Sequence, residues 1–178
     1  MTITALCRTA FLVCLTACLP ALAGIPIQHW TMPSGVQVYL VESHSITMVD
    51  MQIDFDAGSR RDPADKAGLA GVTAGMVSKG VAAAAAEPAL DENALSEAWA
   101  DLGASFRAGA SADRMSFSLR SLTFPDLLGK AVALAARQLG QPAFPQDIWL
   151  RERERLTASI RESNTRPATI SGRAFAKA

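Results

Sequence analysis

The sequence predicts an α+β fold, an antiparallel sheet flanked by helices, and three observations carry that prediction. Val49, Met51, Ile53 and Phe55 alternate with Asp50, Gln52, Asp54 and Asp56, the period-two pattern of a strand with one face on a core and the other in water. Met115, Phe117 and Leu119 alternate with Ser116, Ser118 and Arg120 in the same way. Around these strands, apolar residues recur at helical spacing behind turn residues, and the elements come in groups rather than in strict strand-helix alternation.

The opening residues read as a leader. Arg8 precedes an apolar run from Thr9 to Leu19, followed by Pro20 and the small-residue pattern Ala21-Leu22-Ala23. This is the layout of a secretory signal cut after residue 23, leaving 24–178 as one domain, expected to be truncated at its C-terminal end because the last helical pattern reaches Ala178 without a stop signal. Leu15-Thr16-Ala17-Cys18 supports a second processing route, a lipoprotein signal over 1–17 with Cys18 as the lipidated first residue and membrane anchor. Either route exports the chain, to the periplasm or to a membrane surface facing it. All three cysteines, Cys7, Cys14 and Cys18, lie in the leader, so a chain cut after Ala23 has no disulfide, thiolate nucleophile or cysteine metal site. With 17 basic and 17 acidic side chains there is no charge excess to draw nucleic acid.

Gln28–Thr31 and Val36–Val41 flank Pro33-Ser34-Gly35 and predict a hairpin. After the strand ending near Phe55 comes a Gly/Asp/Pro turn and a helix over Ala67–Ser78. Leu69, Val72 and Met76 are expected to face the sheet, while Gly71 and Gly75 leave a strip without side chains. Two readings fit that pair: close packing of a neighbouring backbone, or a groove for a peptide. Gly80–Pro88, alanine-rich at its centre, predicts an exposed connection. A second helix over Asp91–Leu102 presents Leu95, Trp99 and Leu102 on one face, with Asp91 and Glu92 at its start and Gly103 as its stop. Strands over Ala104–Ser111 and Met115–Leu122 join through Ala112-Asp113. Helices follow over Pro125–Gly140, Gln146–Ser163 and from Ala168.

The stretch Asp56-Ala57-Gly58-Ser59-Arg60, the helix start Lys66-Ala67-Gly68-Leu69-Ala70, the later Leu102-Gly103-Ala104-Ser105-Phe106 and the helical Glu152-Arg153-Glu154-Arg155 together resemble, in order, the M16 zinc metallopeptidases of the insulinase, pitrilysin and mitochondrial-processing-peptidase type. The resemblance implies the first domain of a half-clamshell. In active relatives the helix reads G-L-A-H-x-x-E-H; two histidines and a downstream glutamate hold zinc, and the glutamate between the histidines takes a proton from water. Aligning Gly68-Leu69-Ala70 with that motif puts Gly71 and Gly75 at the histidine positions and Ala74 at the general base. The downstream glutamate position falls on Glu152. Two readings of it stand side by side: a relic third ligand, or a surface glutamate paired with Arg151 or Arg155. His29 and His44 lie in the hairpin region at no ligand spacing. No catalytic residue is therefore assigned, and no cofactor is expected in this chain.

What the resemblance implies is a non-catalytic subunit that partners an active zinc-bearing M16 subunit in degrading or processing peptides. A stand-alone peptide-binding or assembly scaffold is the alternative, and an active zinc metalloendopeptidase the least supported reading. The resemblance also places substrate peptide along a sheet edge at Gly103, Ala104, Ser105 and Phe106, where backbone hydrogen bonding needs no metal.

Overall fold

The computed structural model describes residues 25–84 and 87–176. The signal sequence and Cys18 lie outside them. The chain divides into a unit ending at Ile46 and a unit beginning at Thr47. In the first, β1 (Ile27–Thr31) and β2 (Gln37–Val41) form an antiparallel hairpin around the Pro33-Ser34-Gly35 turn, where Gly35 has φ +85. His29 faces Tyr39 across the pair and the rings stack at 5.6 Å.

In the second unit, β3 (Met48–Phe55), β6 (Ser105–Ala110) and β7 (Met115–Leu122) form an antiparallel sheet in the order β3-β7-β6. The central strand β7 buries Met115, Phe117, Leu119 and Ser121 on one face. On the other face β3 and β7 are cross-linked by charge. Arg120 donates to both oxygens of Asp50 at 2.6 and 2.9 Å, and Arg114 and Ser116 donate to Asp54 at 3.0 and 2.6 Å. The Arg120 hydrogen bonds hold the Asp50 carboxyl below its ordinary range, and bonds from Ser116, Gln52 and Arg114 do so for Asp54.

The expected connection at Gly80–Pro88 is instead partly core. Gly80–Val81 (β4) pairs with Leu90–Asp91 (β5), and Val81 is fully buried. Gly80 has φ +138 and a β-carbon there would meet the Leu90 carbonyl oxygen at 2.9 Å, so the short ladder needs this glycine and hydrophobic periodicity does not announce it. Arg137 secures the following loop by donating to the carbonyls of Ala82 and Pro88 and pairing with Glu87.

Four of the helices match their expected spans closely: α2 (Glu92–Asp101), α3 (Pro125–Gly140), α4 (Gln146–Ser163) and α5 (Pro167–Phe175). Asp91 caps α2 by accepting from the Ala94 amide at 2.8 Å. At the other end, Gly103 (φ +56) donates to Ala100 and the Ala104 amide to Trp99, the paired bonds of a Schellman stop. Two core clusters hang on β7. Val81, Leu95, Trp99, Leu119, Ala131 and Ala135 form one; Ala70, Ala74, Val77, Met115 and Phe117 form the other. Gln138, 1% exposed, sits among them: its Oε1 accepts from Trp99 Nε1 at 2.9 Å and its Nε2 donates to the Val77 carbonyl at 3.3 Å. Burial without these partners would leave an amide and an indole N–H unsatisfied.

Two outcomes follow. Gln138→Leu should lower the unfolding free energy by about 1–3 kcal/mol in urea denaturation, because it strands a buried indole N–H and a carbonyl while keeping side-chain volume. Asp50 and Asp54 have folded-state pKa values below their unfolded ones, so their contribution is present above about pH 4 and fades as the pH falls through the depressed values. The acid-induced drop in melting temperature should therefore be smaller in Asp50→Asn than in the unaltered protein.

Candidate functional site

Helix α1 spans Leu69–Met76 and passes into a 3-10 turn over Val77–Lys79. Its start is held from a distance: Asp62 accepts from the amides of Gly68 at 2.8 Å and Ala70 at 3.0 Å, so a residue before the turn satisfies the first helical donors. Gly68, at φ +97, makes the sharp entry. Upstream, the amides of Ser59 and Arg60 donate to Ser111 and Ala112, fastening this segment to the β6–β7 turn. A side chain on Gly58 would overlap the Ala112 carbonyl and the Arg114 amide, so the glycine is a steric requirement.

The face of α1 directed at the sheet differs from the expected one. Ala70, Ala74 and Val77 lie in the core with Met115 and Phe117, while of the three expected residues Leu69 is 45% exposed, half-buried Val72 lines a cavity, and Met76 is buried at the edge of that same cavity. Small residues let the helix approach a sheet whose bulk is supplied by Phe106 and Phe117, stacked at 6.1 Å. Hydrophobic spacing alone favours the larger side chains and so misassigns the face.

Beside α1 lies a cavity of about 320 Å³ lined by Gly71, Val72, Gly75, Met76, Lys79, Glu152, Arg155 and Leu156. The tertiary fold thus brings Gly71, Gly75 and Glu152, far apart in the chain, to one place. Ala74 is not on its wall; it is 3% exposed in the core. A β-carbon on Gly71 or Gly75 would meet no atom within 4 Å, which removes close backbone packing as the reason for these glycines. They border open space.

The cavity's charges are already matched. Arg155 Nε and Nη2 donate to Glu152 Oε2 at 2.9 and 2.6 Å, and Lys79 Nζ lies 2.6 Å from Glu92 Oε1. The Arg155 hydrogen bonds hold the Glu152 carboxyl below the usual carboxylate range, with the positive charges of Arg155, Lys79 and Arg151 acting in the same direction. The zinc that the motif implies does not fit these residues. Glycines supply no ligand atom, one carboxylate already serves a guanidinium, and two cationic side chains line the space a metal would enter. Among the described residues no three His, Cys, Asp or Glu side chains gather in a way that could hold a metal ion.

The second expected site is β6, an edge strand of its sheet among the described residues. Only part of the expected segment belongs to it. The amides of Gly103 and Ala104 are committed to the helix stop, whereas Ser105 and Phe106 open the strand, which continues to Ala110. The Phe106 ring turns inward and stacks on Trp99 at 5.7 Å. The 3-10 turn after α1 and α1 itself both pack against β6. Among the described residues, no helix is long and apolar enough to cross a membrane.

This α+β arrangement sets a sheet-packed helix beside a cavity that a distant glutamate completes. Residues 37–177 match the model of the insulinase family, peptidase family M16, and the chain belongs to that family. It is similar to a crystal structure of a peptidase M16 inactive domain from Pseudomonas fluorescens, at 32% identity and TM-score 0.74, over 82% of this chain and 34% of that one. A protease from Helicobacter pylori aligns at 20% identity and TM-score 0.64, over 82% of this chain and 33% of that one. The periplasmic protease PqqL from Escherichia coli aligns at 16% identity and TM-score 0.67, over 82% of this chain and 15% of that one. The last two show likeness of fold. The chain spans about a third or less of the length of these structures. No curated protein sequence matches it.

Because Gly71 and Gly75 border open space in a helix interior, Gly71→Ala and Gly75→Ala should each stabilise the protein, by up to about 1 kcal/mol. Destabilisation by either, measured by urea denaturation, would return close packing as their role.

Proposed function

We propose that the chain is the N-terminal part of a non-catalytic M16 subunit that pairs with a separate zinc-bearing subunit and contributes to handling peptides outside the cytoplasm. The observation that supports this reading is the cavity where Gly71, Gly75 and Glu152 converge: Gly71 and Gly75 offer no metal-binding atoms, and Arg155 supplies the positive charge beside the glutamate. The Pseudomonas fluorescens neighbour, described as an inactive domain, supports it. Export rests on the leader, cut after Ala23 or lipidated at Cys18, and a periplasmic neighbour of the same fold agrees with it. Zinc belongs, in this reading, to the partner.

The free edge of β6 favours a second reading, a stand-alone scaffold that binds extended peptide through backbone hydrogen bonds with no partner required. Co-purification with an active M16 peptidase from the same organism separates the two. The subunit reading expects a stable complex whose peptide cleavage exceeds that of the active subunit alone by about tenfold or more, a lowering of the barrier by about 1.4 kcal/mol. Peptide binding without association or rate change would support the scaffold and sink the subunit.

Glu152 can be tested by itself. If it occupies the third-ligand position, the double variant Gly71→His/Gly75→His should take up zinc in a stoichiometric amount, and adding Glu152→Gln should weaken retention during dialysis against a chelator. Failure of the folded double variant to hold zinc would make Glu152 a surface glutamate only.

A further inference from the structure

The face of the three-stranded sheet that carries the charged residues has an imbalance of hydrogen-bonding groups. Three rows cross it: Asp50–Arg120–Ser105, Gln52–Ser118–Arg107 and Asp54–Ser116–Gly109. Both carboxylates are consumed within the sheet. Asp50 accepts from two nitrogens of Arg120, and Asp54 accepts from Arg114, Ser116 and Gln52. Donors, by contrast, are left over. Among the described residues Arg107 has no ion-pair or side-chain hydrogen-bond partner, and the hydroxyls of Ser105 and Ser118 have none.

These leftover donors are gathered rather than scattered. Ser105, Arg107 and Ser118 line a single concavity of about 280 Å³ together with the paired Arg120 and Asp50 and with Gln52. Ser118 lies directly opposite Arg107 across the strand pair, and Ser105 directly opposite Arg120. Asp50 fixes the Arg120 fork through two nitrogens, so that side chain is oriented before any ligand arrives. A partner for this surface must bring acceptors and negative charge, since Arg120 and Asp50 neutralise each other and the Arg107 guanidinium and the two hydroxyls are left unmatched. We infer that this concavity is an oxyanion-binding site, with Arg107 as the principal charged donor and Ser118 and Ser105 as hydroxyl donors, taking a carboxylate or a phosphate group. A planar guanidinium fork beside hydroxyls matches the two coplanar oxygens that either group presents. The site is separate from the cavity beside α1 and does not depend on the subunit reading.

The test is titration of the isotope-labelled full chain with inorganic phosphate and, separately, with acetate, at constant ionic strength. The amides of Ser105–Arg107 and Ser118 and the Arg107 Nε–H are followed by NMR. Saturable shifts confined to these groups are expected, weakened about tenfold in Arg107→Gln, the loss of one charge-assisted bond pair, and unchanged in Arg161→Gln on the exposed helix α4. The remainder of the spectrum reports whether each variant is folded, and Ser118→Ala gives an independent, smaller weakening. Saturation by phosphate alone identifies a phosphate-type group; saturation by acetate, with or without phosphate, identifies a carboxylate. Shifts that stay linear with both anions, or an affinity that Arg107→Gln leaves within about twofold, overturn the inference.

Discussion

Alternation along β7 is the constraint on which the larger unit depends. Met115, Phe117, Leu119 and Ser121 are buried, and both hydrophobic clusters include side chains from this one strand. A shift of one residue in its register would send those side chains to the polar face and bring Ser116, Ser118 and Arg120 into the core. Pairing with β3 and β6 on either side therefore has one solution, reinforced on the polar face by Asp50–Arg120 and Asp54–Arg114. Helix α1 and the Trp99–Gln138 contact are set down on a platform already fixed.

From that platform follows the form of the cavity. With Ala70, Ala74 and Val77 against the sheet, the helix has no freedom to turn Gly71 and Gly75 anywhere but sideways, toward α4 and Glu152. The meeting of Gly71, Gly75 and Glu152 thus follows from packing. The charge around it differs from that of a metal site. A metal site concentrates negative or neutral donors around a cation; here a guanidinium from the next turn of α4 takes that place and closes the carboxylate within its own helix. Family membership and absence of the family's ligand set are consequently compatible in one molecule.

The strands and most helices were legible because each signal was local. Period-two runs marked β3 and β7, Pro125 marked the start of α3, and Gly103 marked the end of α2, where its left-handed backbone completes a Schellman motif. Less legible were features decided by distant partners. Val81 reads as part of an alanine-rich connection but is buried because β5 pairs beside it, and the sheet-facing side of α1 is its alanine side, which periodicity weighs below leucine and methionine. The Gln138 bridge has no sequence signature at all, since a glutamine in an amphipathic helix is ordinarily a surface residue.

By itself, the sequence determined the family resemblance, the α+β class and the absence of side-chain ligands at positions 71 and 75, because these are properties of residue identity and of spacing within one element. Only the tertiary structure decided that Gly71, Gly75 and Glu152 share a cavity, that the glycines border open space, and that Arg155 already occupies the carboxylate. It also decided that the donors Ser105, Arg107 and Ser118 are gathered while the nearby carboxylates are spent. Each of these depends on which residues from separate strands and helices meet. Meeting is set by sheet register and helix rotation, which in turn follow from burying the apolar face of β7.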